Sequence, residues 1–586
     1  MLDADAIRSL LGAGEFARLI AIAESLALGD RSATAVRLAV GLAQLRLGRA
    51  QDAADIALDL TAQDPLLTDA YTLRSAALRA LGRSPEAARA LRSGVVLKPA
   101  LGAAWRMLSE DASTGASSNG GRRRSLLARA HVSAPLDPQS RRAYAMALAQ
   151  ASGEARFAMA PETALAVSDR ALAVDPGCGE ARSARLFARQ CLDIEPSDSM
   201  LREAVDAAAA HAAGATARPP AAPRTAPPLR LGFLACGLAG SSVRHFVAGI
   251  FANHDPDALA IVLYDHCPIG DHPEYRDLTA RIRTVDVAAM SNDQLADRIA
   301  GDRVDILIDL IGHGWYGCRL GVLARKPAPV QIAYCGYLGT LGLPAVDWFF
   351  SDTAIHPPGG REAYVERLLP LRHWICYSPP AWAPAVSDRP GDAPLVFGSF
   401  HQLGKISPHC LAQWRAILEA VPGSRLLVKR HDLGGHEGAF MERLRAHGLP
   451  VERVELDVRR DSHRDHLEAY AGVDIALDTY PYSGATTVCE ALWMGVPVVS
   501  MSGATAVSRM SRSILRAAGL ERWCSDTAEG VVATARALAA DGEGRRRFRR
   551  HARALLATSP LCDAVGFSRD FEAACRRAVA DWAATP

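Results

Sequence analysis

The chain has 586 residues, 49% of them hydrophobic and 22% charged, and its 66 Lys and Arg against 64 Asp and Glu leave a formal charge of +2. At roughly 100–200 residues per domain this is material for several domains, each with its own core. The near-neutral balance argues against a chain whose main work is to grip nucleic acid through its phosphates.

The 12 cysteines contain no CxxC pair, which points to scattered buried thiols and away from a zinc ribbon or a thioredoxin-like site. The chain opens MLDADAIRS, acidic where a signal peptide would be basic. The uncharged segments Pro327–Val346 and Ala491–Ser508 carry Gly and Pro and read as strand, turn and helix. The expectation is a cytoplasmic protein with no membrane-spanning helix and no nucleic-acid partner.

Residues 1–112 read as a helical array. Apolar residues recur at three- and four-residue spacing. A longer period overlies this: Leu47-Gly48-Arg49 returns as Leu81-Gly82-Arg83, Ala53-Ala54 as Ala87-Ala88 and Pro65 as Pro99, with a fainter copy at Gly14. The common offset, about 34 residues, is the tetratricopeptide period, with Gly in the tight turn and Ala where two helices approach. Ser113–Arg124 is small, polar and basic and reads as a flexible connection. Further repeats fill 113–212, among them Ala164–Ala188 with Pro176 as a helix boundary. Stacked repeats build a groove that binds protein. Residues 213–228, with five prolines, read as a linker.

Beyond it, short β-rich runs alternate with helices. The first series is Leu231–Ala235, Ala260–Tyr264, Asp305–Leu310, Val330–Tyr334 and Trp348–Asp352. The second is Leu395–Phe400, Arg425–Lys429, Arg453–Asp457, Asp474–Asp478 and Pro497–Met501. Near-continuous apolar strands between helices mean parallel sheets covered on both faces. Two doubly wound domains are expected, 229–385 and 394–545, followed by C-terminal helices over 546–586. Neither a GxGxxG after the first strand nor a Walker A motif is present.

The densest chemical signal lies in the second of these domains. Phe400-His401-Gln402-Leu403-Gly404-Lys405 follows a strand, where Lys405 is placed to neutralise a phosphate. Asp478–Thr487 follows another and leads into a helix near Val488. Gly484, Thr486 and Thr487 then lie at a helix N-terminus, which suits phosphate. Glu490 in the first turn suits either the helix dipole or two ribose hydroxyls, and His466 stands eight residues before a strand.

Four segments, Asp305–Gly314, Lys326–Asp352, Phe397–Trp414 and Asp474–Gly503, closely resemble the O-GlcNAc transferase/SPINDLY family, glycosyltransferase family 41. They fall in order behind a tetratricopeptide array, and the DTYPYSGATTVCE version is nearer to SPINDLY-like and bacterial members. The resemblance implies the two-Rossmann GT-B fold and an inverting, metal-independent protein O-glycosyltransferase. Its donor is a nucleotide sugar, GlcNAc-like or fucose-like, which is a substrate, so no cofactor is implied.

By matching motif position, Gln402 and Lys405 hold the diphosphate, Thr486 and Thr487 add donors, His466 stacks on the base and Glu490 takes the ribose. The sequence departs from the family at Gly237 and at Ser241, where the acceptor-side His usually stands, and Ala485 replaces a His of the animal enzyme, as in SPINDLY-like members. His313 and His245 are then the candidate bases, with His313 expected to matter more. The acceptor protein is expected on the repeats, with flagellin and a CMP-nonulosonate donor as one alternative. A non-catalytic repeat adaptor with a decayed fold is the other.

Overall fold

The structure is a computed structural model and describes residues 4–26, 33–64, 67–84, 86–88, 90–91, 138–158, 161–217, 222–266, 273–314, 317–389, 393–430, 436–459 and 462–584. The chain forms two compact units, one of Met1–Leu148 with Ala173–Pro176, the other of Ala149–Leu172 with Gly177–Pro586.

The first unit is helical: α1 (Ala4–Gly12), α2 (Phe16–Ser25), α3 (Thr34–Arg46), α4 (Ala50–Gln63) and α5 (Thr68–Ala80). Gly14, Gly48 and Gly82 adopt φ of 74, 80 and 74°. Nothing lies within 4 Å of a side chain built at any of them, so the left-handed backbone, and not crowding, calls for Gly there. These turns recur at the period read from the sequence. Ala53, Ala57, Leu73 and Ala77 form one core of this unit. A methyl on Gly41 of α3 would sit 2.6 Å from Leu73 Cδ2, so small residues set the helix spacing. Pro65, Pro99 and the Ser113–Arg124 connection lie outside the described residues.

The helices continue with α6 (Pro138–Ala158), α7 (Pro161–Val174), α8 (Gly179–Gln190) and α9 (Asp198–Ala212), and Pro176 falls in the α7–α8 turn. Ser197 caps α9, accepting from the Met200 N–H. Helices α8 and α9 are built into the second unit. Phe187, Cys191 and Ala208 share one apolar core with Leu231, Phe233 and Ile308, and the Gly342 Cα approaches the Ala204 backbone so closely that a methyl would lie 2.3 Å from it.

Two all-parallel sheets follow. The first, in the order β3-β2-β1-β4-β5-β6-β7, comprises β1 (Leu229–Cys236), β2 (Leu259–His266), β3 (Arg283–Asp286), β4 (Ile306–Asp309), β5 (Val330–Ala333), β6 (Trp348–Ser351) and β7 (Arg367–Pro370). The second, in the order β10-β9-β8-β11-β12-β13, comprises β8 (Val396–Ser399), β9 (Arg425–Lys429), β10 (Val454–Asp457), β11 (Ile475–Leu477), β12 (Val498–Met501) and β13 (Cys524–Ser525). Central strands β4, β5 and β6 are buried at every residue, as parallel strands covered on both faces must be.

Strands β3, β7 and β13 were not anticipated. They are short edge strands; β3 and β13 lack an apolar run, and that of β7 is cut short by Glu366-Arg367 and Pro370. After β13, α13 (Gly542–Ala557) packs on the second sheet's domain through Arg549. Helix α14 (Ala564–Ala584) then returns to the first sheet, where Phe571 stacks with Phe233 at 6.2 Å and lies 5.0 Å from Phe350. No helix among the described residues is long and apolar enough to cross a membrane.

Candidate active site

Each sheet reverses its winding once, between β1 and β4 and between β8 and β11. Open parallel sheets bind ligands at that reversal, beyond the strand C-termini. The segments read as functional in the sequence emerge at these two points.

Beyond β8 the chain passes His401 and Gln402 into a tight 3₁₀ turn, Leu403–Lys405. Ser407 then caps the helix Pro408–Ala420, and its hydroxyl donates to the Tyr480 carbonyl, tying this loop to the one after β11. Lys405 Nζ lies 4.3 Å from the centre of the Tyr482 ring, a cation over an aromatic face. Gln402 and Lys405 are both partly exposed.

Beyond β11 the turn is built on Asp478. Its buried carboxylate accepts the N–H groups of Thr479 at 2.8 Å and Gly484 at 2.7 Å on one oxygen, and the hydroxyls of Ser500 at 2.6 Å and Ser511 at 2.5 Å on the other. His401 Nε2 stands 3.1 Å away. Burial works to raise its pKa, but His401, Ser500 and Ser511 hold it below the usual carboxylate range. The Gly484 N–H, one candidate for binding phosphate, is committed to Asp478. Gly484 instead provides room, since a methyl there would lie 2.5 Å from His401 Nε2 and 2.8 Å from Thr487 Oγ1.

Helix α12 (Thr486–Trp493) starts directly after this turn with no side chain capping it. Thr486 Oγ1 is buried without a hydrogen-bond partner. A helix N-terminus with an unused hydroxyl in its first turn suits an anion.

Glu490 is buried one turn further on. His463 Nε2 lies 2.8 Å from one of its carboxylate oxygens and His466 Nε2 3.5 Å from the other. Burial opposes ionisation, yet the two imidazoles hold this carboxyl well below its ordinary range. Both histidines sit on α11 (His463–Glu468), which begins in a capping box of Ser462 and Asp465. His466 meets Phe400 edge to face at 5.4 Å.

His463 was missed in the sequence, although its spacing of three from His466 puts both rings on one helix face. Its Nδ1 lies 3.3 Å from the Arg244 guanidinium. Arg can only donate, so Nδ1 accepts and the proton sits on Nε2, facing Glu490.

Arg244 and His245 open α10 (Arg244–Asn253). His245 is buried, its ring 5.6 Å from that of His463 and its Nδ1 3.3 Å from the Ser378 carbonyl. Burial lowers its pKa to about 4, so the ring is neutral near pH 7 with Nδ1 donating to Ser378. His245, His463 and Glu490 bring ligand atoms within 4.8 Å of one another. The tautomer that Arg244 imposes turns an N–H, not a lone pair, into that space, so these residues fit a hydrogen-bond network better than a cation site.

At the first sheet's reversal, Gly237 takes a left-handed φ of 60° and gives its N–H to Asp265 at 2.7 Å. Partly exposed Ser241 follows, its Oγ accepting from the Val243 N–H.

His313, a candidate base in the sequence, is packed away from solvent. It is 0% exposed. Its Nε2 bonds to the Leu341 carbonyl at 2.9 Å, and its Nδ1 to Ser183 Oγ of α8 at 2.9 Å. Ser183 also bonds His211 of α9 at 2.9 Å. Burial lowers the His313 pKa to about 3. This is a packing position that fastens α8 and α9 to the sheet.

The family model described as Glycosyl transferase family 41 matches residues 214–376 and 386–571, more than half of the chain. A tomato (Solanum lycopersicum) protein described as a probable UDP-N-acetylglucosamine–peptide N-acetylglucosaminyltransferase SPINDLY is 35% identical over 354 residues, 59% of this chain and 38% of that one. The Arabidopsis thaliana protein of the same description, called SEC, is 29% identical over 365 residues, 59% of this chain and 36% of that one. The chain therefore spans about two fifths of the length of the curated relatives it matches. The solved structure of an O-GlcNAc transferase mutant from Thermobaculum terrenum superposes with a TM-score of 0.68 at 28% identity, covering 94% of this chain and 98% of that one.

Proposed function

We propose, from the premise that the chain belongs to glycosyltransferase family 41, that it transfers a sugar from a nucleotide-sugar donor to a Ser or Thr hydroxyl of an acceptor protein. The observation that carries this reading is the second sheet's reversal. There Lys405 and Gln402 stand on the loop after β8, and the uncapped start of α12 with its unpartnered Thr486 hydroxyl follows the loop after β11, one turn before Glu490.

The leaving group is a nucleoside diphosphate, whose charge grows as the glycosidic bond breaks. Lys405 and the α12 N–H groups meet that charge with donors already in place, the kind of preorganised stabilisation that dominates transferase catalysis. Gln402 and the Thr486 and Thr487 hydroxyls add directional contacts. Asp478 acts by position, holding the turn that carries them. Glu490 takes the ribose hydroxyls, exchanging its imidazole contacts for them, and His466, a quarter exposed, packs on the nucleobase.

His245 lies against the His463–Glu490 group, on the ribose side, and serves by positioning His463. Neither it nor His313 is then the acceptor's base. The mechanism is inverting and metal-independent, as the family resemblance implies. The intact donor constellation speaks against a decayed adaptor. The relatives described above are named for UDP-N-acetylglucosamine, which supports a GlcNAc-like donor over a CMP-linked one and gives flagellin no support.

The test is to incubate the full chain with UDP-GlcNAc, GDP-fucose or a CMP-nonulosonate and a mixture of Ser/Thr peptides, reading peptide mass. A one-sugar gain from one donor, lost in Lys405→Ala, supports the reading. No gain and no nucleotide release from any donor refutes it.

A further inference from the structure

A pocket open to solvent lies where α8 and α9 meet the loops of both sheets. Four carboxyl groups, those of Asp193, Glu195, Asp198 and Glu362, line it against one guanidinium, that of Arg361. Two further lining groups are polar, nine-tenths buried and unsatisfied. Gln190 is 6% exposed and Thr505 8%, and Gln190 Oε1 and Thr505 Oγ1 have no hydrogen-bond partner. The Gln190 amide cannot be turned to relieve this, because its Nε2 donates to the Leu338 carbonyl at 3.0 Å. A buried acceptor left unpaired is costly, and a ligand carrying N–H donors relieves it.

The pocket is not the donor site. Tyr337, in its lining, lies 6.2 Å from Phe187, and Phe187 stacks on Tyr482 at 5.2 Å. Lys405 is on Tyr482, so three aromatic rings separate the pocket from the group that meets the diphosphate.

We propose that this pocket receives a cationic side chain of the acceptor polypeptide, Lys or Arg, flanking the Ser or Thr that is glycosylated. The proposal rests on the transferase reading for the word acceptor. The cation's N–H groups satisfy Gln190 Oε1 and Thr505 Oγ1, and its charge is matched by Glu362. Two of the other carboxyls are already engaged, Asp193 with Arg189 at 2.7 Å and Glu195 with Arg361 at 2.8 Å.

Glu362 is engaged too, but through Oε2, which takes the Ala506 N–H at 2.6 Å and lies 3.4 Å from Arg509; the incoming cation meets Oε1. Burial nevertheless raises its pKa to about 7. Tyr337, Tyr364 and Arg509 face it, Glu366 and His356 stand next in line, and Arg361 adjoins it. A cation arriving beside Glu362 favours its ionised form, so cation binding strengthens as pH rises through 7.

The experiment measures anisotropy of fluorescent Ser-centred peptides on the full chain, with Lys or Glu placed at each flanking position. At about pH 8 the best Lys peptide is expected to bind roughly tenfold tighter than its Glu counterpart, and the ratio should shrink at about pH 6. Glu362→Gln should bring the ratio below about threefold at both pH values, and Thr505→Val should weaken the Lys peptide alone. Equal binding of Lys and Glu peptides by the wild-type chain, or a ratio untouched by Glu362→Gln, overturns the proposal. If Glu362→Gln does not fold, Thr505→Val and the pH dependence decide it. Nucleotide-sugar hydrolysis by the wild-type chain, measured in parallel, reports on the transferase reading alone. Its absence beside a retained Lys preference would sink that reading and leave the cation pocket standing.

Discussion

Replacing Asp478 tests how the donor loop is held. Its Oδ1 takes two backbone N–H groups and its Oδ2 two serine hydroxyls. Asp478→Asn can keep the first pair on its carbonyl oxygen. It then turns an NH₂ toward Ser500 and Ser511, which must rotate to accept. Hydrogen bonds to a charged group are worth about 1.5–3 kcal/mol and neutral ones about 0.5–1.5. Losing the charge at four bonds, less the relief of no longer burying a carboxylate, comes to about 2–4 kcal/mol. At roughly 2–4 °C per kcal/mol for a domain of this size, Tm should fall by roughly 5–15 °C. Asp478→Ala leaves the Thr479 and Gly484 N–H groups unpaired and should cost more, about 4–6 kcal/mol. Calorimetry of the full chain and of both variants is the assay. A Tm for Asp478→Asn within about 1 °C of wild type would show that the turn does not depend on this carboxylate.

Lys405→Ala should leave Tm unchanged, since the side chain is partly exposed, while transfer falls at least about 10²-fold. His313→Ala removes bonds to Ser183 and Leu341 in a fully buried site and should destabilise by about 2–4 kcal/mol, measured by urea unfolding; normal stability with lost turnover would restore it as a catalytic candidate. His245 and His313 have folded pKa values of about 4 and about 3, below the unfolded value of about 6.5, so the unfolded state binds more protons as pH drops. Each should remove about 1.4 kcal/mol per pH unit as pH falls from about 6 toward those values, against the opposite contribution of Glu362 and Asp309, whose raised pKa values stabilise the fold over the same range; a slope in His313→Gln unchanged from wild type contradicts this. A chain starting at residue 229 should aggregate, because it loses α8 and α9 from the shared core, whereas one starting at 161 should stay soluble and bind the nucleotide; a well-folded chain from 229 would mean that α8 and α9 are dispensable.

The strands that carry the site could be read because parallel strands covered on both faces are almost wholly apolar, as in β4 and β5. The edge strand β3 could not, because its residues Arg283–Asp286 are polar and largely exposed. The strand read at Asp305–Leu310 leads to His313, but Ser183, 130 residues upstream, covers that ring, and no local pattern reveals such a contact. Asp478 was visible as the end of a strand. Its role as the centre of the turn was not, since Ser500 and Ser511 stand 22 and 33 residues further on. His463 was within reach. Read as half of a pair with His466 on one helix face, it would have joined the site with Glu490.

The most direct test of the account is release of nucleoside diphosphate from UDP- and GDP-sugars by the full chain, wild type against Lys405→Ala, at saturating donor. The account predicts turnover of at least one donor by the wild-type chain and a rate at least about 10²-fold lower in the folded variant. Equal rates in the two, or no binding and no release from any nucleotide sugar, would contradict it.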